Sequence, residues 1–419
     1  MNRRPDPRDP APRDPNRRRA LTNVGGAIDT EGDQADAGRL ARALAVPPAT
    51  DADDEPARSH VHGFHTYPAR IHPVTAARLV SAFGGTGARV LDPFCGSGTV
   101  LVEALIAGRG AIGSDLNPIA VRLAACKTRP RTAAELAHLV ELAADCATEA
   151  DARRKAKAGA SRRFPREDVE LFEPHVLLEL DSLRAKIETL RTDPARPDLE
   201  LILSAVLVKL SRKEGDTAAS VGPRRTRAGF AAKLFVLKAR DLCDRLTALG
   251  RLLPNPVPPA VVLQDDATEL KRLPPDPVGA IITSPPYAAT YDYLAHHALR
   301  LRWLGLNAAP LIKGEIGSRS AYARLQPAAA RAAWAKELER FFRAAAQVLP
   351  AGGPLVVVMA DSAVGDVAIR ADEVVAEAGR ACGLRPTARA SQPRPHFHGP
   401  TANAFRDRPR FEHVLLLRK

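Results

Sequence analysis

Cysteine is scarce in this chain: there are five among 419 residues, scattered, odd in number and without a CxxC pair. This pattern excludes a disulfide framework and a zinc ribbon, and it favours a reducing, cytoplasmic compartment. No hydrophobic run approaches the roughly 18 residues that a transmembrane helix needs. The charged first residues are not followed by an apolar stretch, so they do not form a secretory signal. We therefore expect a cytoplasmic protein with no membrane partner.

Acidic residues are outnumbered: 48 Asp and Glu stand against 61 Lys and Arg, which gives a net charge of +13. Such a surface attracts polyanions, and nucleic acid is the commonest polyanion in a cell. A chain rich in Arg, Ala and Pro can also come from a GC-rich genome, so charge alone leaves this interpretation open. The hydrophobic fraction of 45% is sufficient for a buried core.

Changes in composition divide the chain into four segments. Residues 1–58 have few large apolar side chains, which predicts a disordered, basic, Pro-rich arm. Residues 59–127 contain a strand, a Gly-rich turn, a helix and a second strand, the start of a doubly wound parallel sheet. Residues 128–258 show helical periodicity in four stretches and predict a helical insertion. Strand patterns return in residues 259–419, so we expect the sheet to be interrupted and then resumed.

The first candidate site is the sequence DPFCGSGT, which runs from Asp92 to Thr99 between a strand and a helix. Gly96 and Gly98 let the backbone pass close to a ligand where a Cβ would clash. Free N–H groups at the helix start and the Thr99 hydroxyl can hold an anion such as a carboxylate. The Asp92 carboxylate can accept a hydrogen bond from an ammonium group. A tight turn without a ligand has the same pattern, so this turn alone is weak evidence.

Acidic residues follow two further predicted strands. Asp115 ends the second strand, where a carboxylate can accept hydrogen bonds from both hydroxyls of a ribose. Asp265 and Asp266 end a third strand and could meet the amino group of an adenine. A helix N-cap is an equally good interpretation of Asp266 by itself.

The second candidate site is TSPPY, from Thr283 to Tyr287. Its two prolines fix the backbone directly after a buried strand. The Pro285 carbonyl and the Ser284 hydroxyl can each accept a hydrogen bond from an exocyclic amine. Tyr287 offers a flat face on which a base can stack. A proline pair after a strand is often only a loop, but here it shares a predicted sheet with the glycine turn and Asp115.

DPFCGSGT, Asp115 within GSDLNP, and TSPPY together resemble motifs I, II and IV of the S-adenosylmethionine-dependent amino-methyltransferases of DNA. FHTYPARIHP, residues 64–73, resembles motif X of that family, and the motif order is similar to its α-type or γ-type arrangement. The resemblance covers about residues 60–130 and 260–419. It implies an α/β fold with a Rossmann-like, doubly wound, seven-stranded methyltransferase sheet and S-adenosylmethionine as cofactor. It also implies that the inserted helical domain, residues 128–258, is a candidate for target recognition.

The resemblance also implies roles for individual residues. The residues implied to bind the cofactor are Asp92, Phe94, Gly96, Gly98, Thr99, Asp115, Leu116 and Asp266. The residues implied to form the catalytic site are Ser284, Pro285, Pro286 and Tyr287. The target base would leave the duplex, stack on Tyr287 and present its amino group to Ser284 and the Pro285 carbonyl. Because the amine itself attacks, we expect Cys95 to pack in the turn rather than to catalyse.

In this family, Ser at the first position of motif IV goes mostly with cytosine N4, and Asn or Asp mostly with adenine N6. We therefore expect a site-specific DNA methyltransferase that acts on cytosine N4. A DNA adenine-N6 enzyme with a Ser variant, an RNA guanine-N2 methyltransferase and a catalytically silent DNA-binding protein remain alternatives. A restriction endonuclease would be a separate chain, and neither the recognition sequence nor the oligomeric state is predicted.

Two basic loops lie outside these motifs. The loop 211–229 is predicted to contact DNA phosphates, or else to be merely solvated, through Arg212, Lys213, Arg224, Arg225 and Arg227. The loop 391–410 could also face DNA, and it contains Arg394, His396, His398, Arg406 and Arg408. We expect no metal, because cysteine or acidic partners at a metal-ligand spacing are missing for His60, His62, His65 and His72.

Overall fold

The computed structural model describes residues 26–47, 54–85, 87–213, 222–395 and 399–419. The strands are β1 (Asp29–Gly32), β2 (Arg89–Asp92), β3 (Ala111–Asp115), β4 (Ala260–Gln264), β5 (Val278–Thr283), β6 (Pro354–Ala360), β7 (Ser362–Val364), β8 (Val367–Ile369), β9 (Arg385–Arg394) and β10 (Arg410–Arg418). The helices are α1 (Gln34–Leu44), α2 (Glu55–Arg58), α3 (Pro73–Phe83), α4 (Thr99–Ile106), α5 (Pro118–Thr128), α6 (Ala133–Lys155), α7 (Arg166–Leu171), α8 (Pro174–Thr189), α9 (Arg196–Leu210), α10 (Phe230–Gly250), α11 (Tyr293–Trp303), α12 (Ala309–Gly314), α13 (Arg319–Tyr322), α14 (Pro327–Val348) and α15 (Ala371–Ala381). In the described part of the chain, no helix is both long enough and apolar enough to cross a membrane.

Eight strands form one mixed sheet in the order β1-β9-β10-β6-β5-β2-β3-β4. Strands β2 to β6 run parallel, whereas β10 lies antiparallel between β6 and β9. The chain reverses its direction of progress between β2 and β5, because β3 and β4 extend the sheet on one side and β6 on the other. Ligands of doubly wound sheets bind at the carboxyl ends of the strands beside such a reversal. The predicted doubly wound α/β fold is confirmed.

The expected strand count of seven is corrected to eight, because β1 pairs antiparallel with β9 at one edge. This also corrects the prediction that residues 1–58 form a disordered arm. In α1, the buried residues Leu40, Ala43 and Leu44 recur at helical spacing and pack on the sheet. Small apolar side chains thus suffice to bury this helix. Residues 1–25 lie outside the described part, so the prediction stands untested there.

Alternating side chains of the sheet enter two different cores. On β10, Val414 and Leu416 contact the core that contains α1, α3 and α4, while Leu415 and Leu417 contact the core that contains α14 and α15. This is the two-residue period of a strand that is covered on both faces. Helices therefore cover both faces of the sheet, and the carboxyl ends of its parallel strands remain available to form a site.

The insertion contains five helices, α6 to α10, rather than the four expected. The stretch that looked like one helix is divided into α7 and α8 at Pro174, whose ring is compatible with a helix start but not with an interior. Helix α6 begins with a reciprocal capping box between Thr132 and Glu135. The insertion shares its apolar core with Phe64 and with Ile119 of α5, so it packs as an extension of the sheet domain.

Candidate active site

A cleft with an empty volume of about 830 Å³ lies at the carboxyl ends of β2 to β5. Many of the residues singled out in the sequence line it together: Asp92, Phe94, Gly96, Thr99, Asp115, Leu116, Asp265, Asp266, Ser284 and Pro286. Gly98, Pro285 and Tyr287 do not line this cleft. Tertiary folding thus brings residues from the ends of four strands to one place, as the parallel order of the strands requires.

The glycine turn has the conformation that its glycines suggest. Gly96 has φ of +49° and Gly98 has φ of +82°, values that L side chains rarely adopt. A Cβ on Gly96 would lie 3.1 Å from the Tyr67 ring, and one on Gly98 would lie 3.0 Å from Ala124. Gly96 therefore opens the cleft towards Tyr67, while Gly98 allows α4 to begin close against α5.

Two hydroxyl groups at the start of α4 have no hydrogen-bond partner among the described residues, although both are buried. They are Ser97 Oγ and Thr99 Oγ1, and both residues line the cleft. Buried polar atoms are normally hydrogen-bonded, so two such atoms beside the free N–H groups of a helix start indicate room for a polar ligand group. This is the position where an amino-acid carboxylate would fit.

Asp92, at the end of β2, is almost fully buried. Its Oδ1 accepts a hydrogen bond from Thr283 Oγ1 at 2.6 Å and another from the Phe94 N–H at 3.2 Å. Burial raises the pKa of this carboxyl to about 7, although these two bonds act against the shift. Its Oδ2 receives no hydrogen bond from a described residue. A cationic ligand group at this oxygen would favour the charged form of the carboxyl.

Asp115, at the end of β3, holds the glycine turn itself. Its Oδ2 accepts the Gly96 N–H at 2.9 Å, and its Oδ1 accepts the Asn117 N–H at 2.8 Å. Burial raises the pKa of Asp115 to about 6, and the two backbone bonds oppose that rise. Each carboxylate oxygen still has acceptor capacity for a ribose hydroxyl. The structure thus adds a positioning role to the ribose-binding role expected from sequence.

Leu116 and Asp266 lie at the opposite end of the cleft, under α12. A Cβ on Gly314 would lie 2.6 Å from Leu116 Cδ1, so α12 covers this end closely because Gly314 has no side chain. Asp266 Oδ1 accepts from both the N–H and the hydroxyl of Thr268, and Oδ2 receives no such bond. Both carboxylate oxygens of Asp265 are bonded to backbone N–H groups. Asp266 therefore retains an acceptor that an adenine amino group could use, whereas Asp265 is mainly structural.

Tyr67 is a site residue to which the sequence argument gave no role. Its ring stacks on His297 at 4.9 Å between centroids, and its hydroxyl accepts a hydrogen bond from Asn117 Nδ2 at 3.2 Å. Tyr67 and Tyr293 both line the cleft and form an aromatic wall opposite the glycine turn. The signal was present in the sequence, because Tyr67 lies within the segment that resembles motif X.

A second and larger cavity, called here the groove, opens beside the cleft with an empty volume of about 2630 Å³. Both cavities are lined by Ala69, Arg70, Ile71 and Ser284. Tyr287 lines the groove, as do Tyr291, Arg410 and Glu412. Ser284 thus lies where the two cavities meet. The groove is larger than the cleft, so a second ligand has room beside one bound in the cleft.

The two prolines of TSPPY differ in their surroundings. The Pro286 carbonyl accepts a hydrogen bond from Trp334 Nε1 at 3.2 Å, whereas no described group donates to the Pro285 carbonyl. Burial raises the pKa of Tyr287, and Glu412 raises it further, while Ser284 and Arg410 lower it. The tyrosine hydroxyl therefore stays neutral at physiological pH, and its ring is free to serve as an uncharged surface.

The described residues of the predicted DNA-contact loop, 211–213 and 222–229, line neither cavity, and neither does any residue of α6 to α10. Arg212 and Arg224 use their side chains to bond backbone carbonyls of Glu170, Lys209 and Ser211. Arg225 and Arg227 are exposed. Lys213 is half-buried at the edge of residues 214–221, which lie outside the described part. His396 and His398 of the other basic loop are outside it as well.

The histidines have protein partners that sequence spacing did not reveal. His62 Nε2 lies 2.7 Å from Glu103 Oε1, and the ligand atoms of His60, His62 and Glu103 lie within 4.8 Å of one another. The acidic partner thus exists, which corrects the reason given against a metal. Burial lowers the pKa of His60 to about 4, and nearby Lys127 and Arg245 lower it further. Because these cations would also repel a metal ion, the cluster gives no support for metal binding.

A family profile described as DNA methylase matches residues 49–125. Two type II methyltransferases are similar to this chain: M.MjaII of Methanocaldococcus jannaschii, 35% identical over 68 residues, and M.MvaI of Kocuria varians, 33% identical over 82 residues. These matches cover 16% and 19% of this chain and 13% and 18% of the relatives. A tRNA (guanine(10)-N2)-dimethyltransferase of Methanothermobacter thermautotrophicus is 40% identical over 62 residues, which are 15% of this chain and 18% of that protein.

Similar solved structures include TrmN from Thermus thermophilus, with a TM-score of 0.32 and 13% identity over 84% of this chain and 50% of that one. The rRNA methyltransferase AviRa from Streptomyces viridochromogenes has a TM-score of 0.31 and 14% identity over 92% and 94%. The chain spans less than a fifth of the length of the curated relatives it matches. The resemblance to the S-adenosylmethionine-dependent DNA amino-methyltransferases is confirmed by the sequence matches, and S-adenosylmethionine is the cofactor they support.

Proposed function

We propose that this chain, whose residues 49–125 match the DNA methylase profile, is an S-adenosylmethionine-dependent DNA methyltransferase that methylates the exocyclic N4 of cytosine. One observation carries the proposal: Ser284 lies at the junction of a cleft suited to the cofactor and a groove suited to a polymer. An amino group that enters through the groove and binds Ser284 would therefore face a cofactor in the cleft. The net charge of +13 supports a polyanionic substrate.

The cleft fits the cofactor on three grounds from this chain's own residues. The unpartnered hydroxyls of Ser97 and Thr99 and the start of α4 suit its carboxylate, and the free oxygen of Asp92 suits its ammonium group. Asp115 has acceptor capacity for the ribose, and Asp266 for the adenine amino group. When bound, the cofactor supplies a methyl group activated by a sulfonium.

The remaining chemistry is positioning, which needs no nucleophile from the protein. The target cytosine would be turned out of the duplex into the groove and stacked against Tyr287. Ser284 Oγ and the Pro285 carbonyl, which receives no described hydrogen bond, would accept hydrogen bonds from the amino group and point its nitrogen lone pair into the cleft. After transfer, the amino nitrogen would release one proton to solvent in the groove. Well-oriented reactants can save about 7–11 kcal/mol of a barrier, so a site without a strong base is sufficient.

The test is to incubate the protein with methyl-labelled S-adenosylmethionine and mixed-sequence DNA, digest the DNA and identify the modified nucleoside by mass spectrometry. We expect N4-methylcytosine, and Ser284→Ala should reduce its yield while leaving cofactor binding intact in calorimetry. N6-methyladenine would overturn the choice of base, and label on RNA alone would favour the guanine-N2 alternative. Cofactor binding with no transfer to either nucleic acid would favour a silent binding protein.

A separate restriction endonuclease, DNA as a stable binding partner, and a cytoplasmic location belong to the same proposal. Mapping the modified positions in the host genome would show whether the enzyme recognises a fixed sequence. Resistance of that sequence to a nuclease made by the same cell would support a restriction–modification pair. Methylation scattered over unrelated sequences would contradict it.

A further inference from the structure

The wall of the groove that β10 provides contains two charged side chains, Arg410 and Glu412. They are two residues apart on the strand, so they point to the same face of the sheet. Both line the groove that also contains Ser284 and Tyr287. Neither belongs to a motif that the sequence argument used.

Glu412 is fixed in place from one side. It is 7% exposed, and its Oε2 accepts a hydrogen bond from Arg394 Nε at 2.8 Å. Arg394 also donates to the side-chain oxygen of Gln392, which faces Glu412 across the β9–β10 ladder. The positive charge of Arg394 therefore balances Glu412, and this pair forms a rigid floor for the groove.

The Arg410 side chain donates one hydrogen bond to a described residue. Its Nε donates to the Asp361 carbonyl at 2.8 Å, which fixes the plane of the guanidinium group. Its two terminal nitrogens donate to no described residue, and Arg410 forms no ion pair with any described carboxylate. A half-buried arginine with a fixed plane and two free donors presents a fork for paired acceptor atoms.

The fork lies next to the aromatic side of the groove. Arg410 lowers the pKa of both Tyr287 and Tyr291 against the upward effect of burial, so its charge is close to both phenol groups. An aromatic face, a pair of donors and the amine acceptors at Ser284 are thus arranged around one space. That combination matches a planar heterocycle whose edge carries one donor followed by two acceptors.

We propose that Arg410 is the specificity-determining residue that reads the edge of the target base, donating from its two terminal nitrogens to N3 and O2 of cytosine. This inference rests on the proposed function. The edge of cytosine runs amino group, N3, O2, which is one donor and two acceptors. Adenine has only N1 beside its amino group, and guanine has an N–H next to its own, so each would leave at least one Arg410 donor unpaired. A donor that a bound base covers without accepting its hydrogen bond loses its water and gains no partner.

The experiment pairs a change in the protein with a change in the base. Duplexes containing the mapped target sequence would have either cytosine or 3-deazacytosine, which lacks the N3 acceptor, at the target position. Methyl transfer to each would be measured with the wild-type protein and with Arg410→Gln. Arg385→Gln, the same change at an exposed arginine at the far end of β9, is the matched control.

We expect the wild-type protein to lose about 10- to 100-fold in kcat/KM on the analogue, the range of a good bidentate contact. Arg410→Gln should show a similar loss on cytosine and little further loss on the analogue, while Arg385→Gln behaves like wild type. Cofactor affinity, measured by calorimetry, should be unchanged in both variants, which also shows that they are folded.

The inference would be overturned if Arg410→Gln lowered kcat/KM by the same factor on cytosine and on the analogue, because the two losses would then be independent. The inference would also fail if Glu412→Gln, and not Arg410→Gln, removed the difference between cytosine and the analogue. In that case the Glu412 carboxylate, not Arg410, would contact the base. If the wild-type protein forms no N4-methylcytosine, the proposed function fails and this inference fails with it. That case is recognised from the wild-type reaction alone, so the two failures are distinguishable.

Discussion

In the cleft, Asp92 and Asp115 already accept hydrogen bonds from neighbouring protein groups. A ligand can therefore use only the Oδ2 atom of Asp92 and the remaining lone pairs of Asp115. In the groove, Arg410 keeps both terminal nitrogens free of described partners. The cleft is smaller, and many of its lining residues belong to the segments that follow β2 to β5. The groove is more than three times larger in empty volume and is bounded by β10 and its neighbours.

The difference corresponds to two kinds of ligand. A cofactor of constant shape is best bound by a preorganised turn whose polar atoms are mostly fixed before binding. A polymer that delivers one base at a time needs an open entrance and side chains with unused hydrogen-bonding capacity. If the two cavities are separate in this sense, a substitution in one of them should leave the function of the other unchanged.

Tyr287 should affect transfer but not cofactor binding, because it lines the groove and not the cleft. Tyr287→Ala should reduce methyl transfer to DNA about 100-fold, near the upper end of what one lost stacking contact costs. Cofactor affinity in calorimetry should stay within a factor of two. Tyr287→Phe keeps the ring and should retain most of the activity. Loss of cofactor binding in the alanine variant would break the separation of the two cavities.

A substitution at Gly96 should affect cofactor binding in the cleft. Gly96→Ala should weaken cofactor affinity at least about tenfold, because its Cβ would lie 3.1 Å from the Tyr67 ring, in addition to a positive-φ penalty of about 1–2 kcal/mol. Gly85→Ala is the matched control, since Gly85 has a φ of +65° with no atom within 4 Å of the added Cβ. Equal effects in both variants would mean that strain, not the approach to Tyr67, limits the cleft.

Asp92 should make the fold less stable at neutral and higher pH. Its folded pKa of about 7 lies above the ordinary value of about 3.9 for an unfolded Asp, so the folded state holds more protons between these values. The free energy of unfolding therefore falls as pH rises through this window. Asp92→Asn should raise Tm at pH 8 by about 2–5 °C and give little gain at pH 4, while weakening cofactor binding.

The exposed Asp366→Asn provides the control for that experiment, because the same change there should alter Tm at neither pH. An Asp92→Asn variant that melts earlier at pH 8 would show that the charged carboxylate stabilises the empty cleft. In that case the cleft would not be a site where stability is given up for ligand binding.

Arg225 and Arg227 should have the smallest effect, and they test the proposal that the insertion contacts DNA. Replacing both with Ala should weaken DNA binding only a few-fold and reduce the salt dependence of binding by about two units, one for each phosphate contact. The Arg212→Ala, Arg224→Ala pair is the control, since those side chains bond the backbone. If the salt dependence of DNA binding is unchanged in the Arg225, Arg227 variant, these two arginines do not contact DNA phosphates. The groove would then be the remaining candidate for the DNA contact.

The glycine turn shows why so much of the cleft could be predicted. Asp92, Gly96 and Thr99 are close in the chain, and their roles follow from local geometry: a strand end, a positive φ and a helix start. Asp115 was recognised in the same way, but its bond to the Gly96 N–H was not, because that bond joins the turns after two different strands. The edge strand β1 was missed because its residues, DTEG, are polar and its pairing partner β9 is more than 350 positions away.

Local patterns of residues are enough to predict the parallel sheet, the order of the motifs and the composition of the cofactor turn, because each depends on residues that are neighbours in the chain. That Tyr67 faces Gly96, that Glu103 meets His62 and that Arg410 lies beside Tyr287 follows only from the folded arrangement of the strands and helices. These contacts join segments tens to more than a hundred residues apart. Their geometry is set by strand order and helix packing, which no local pattern of residues specifies.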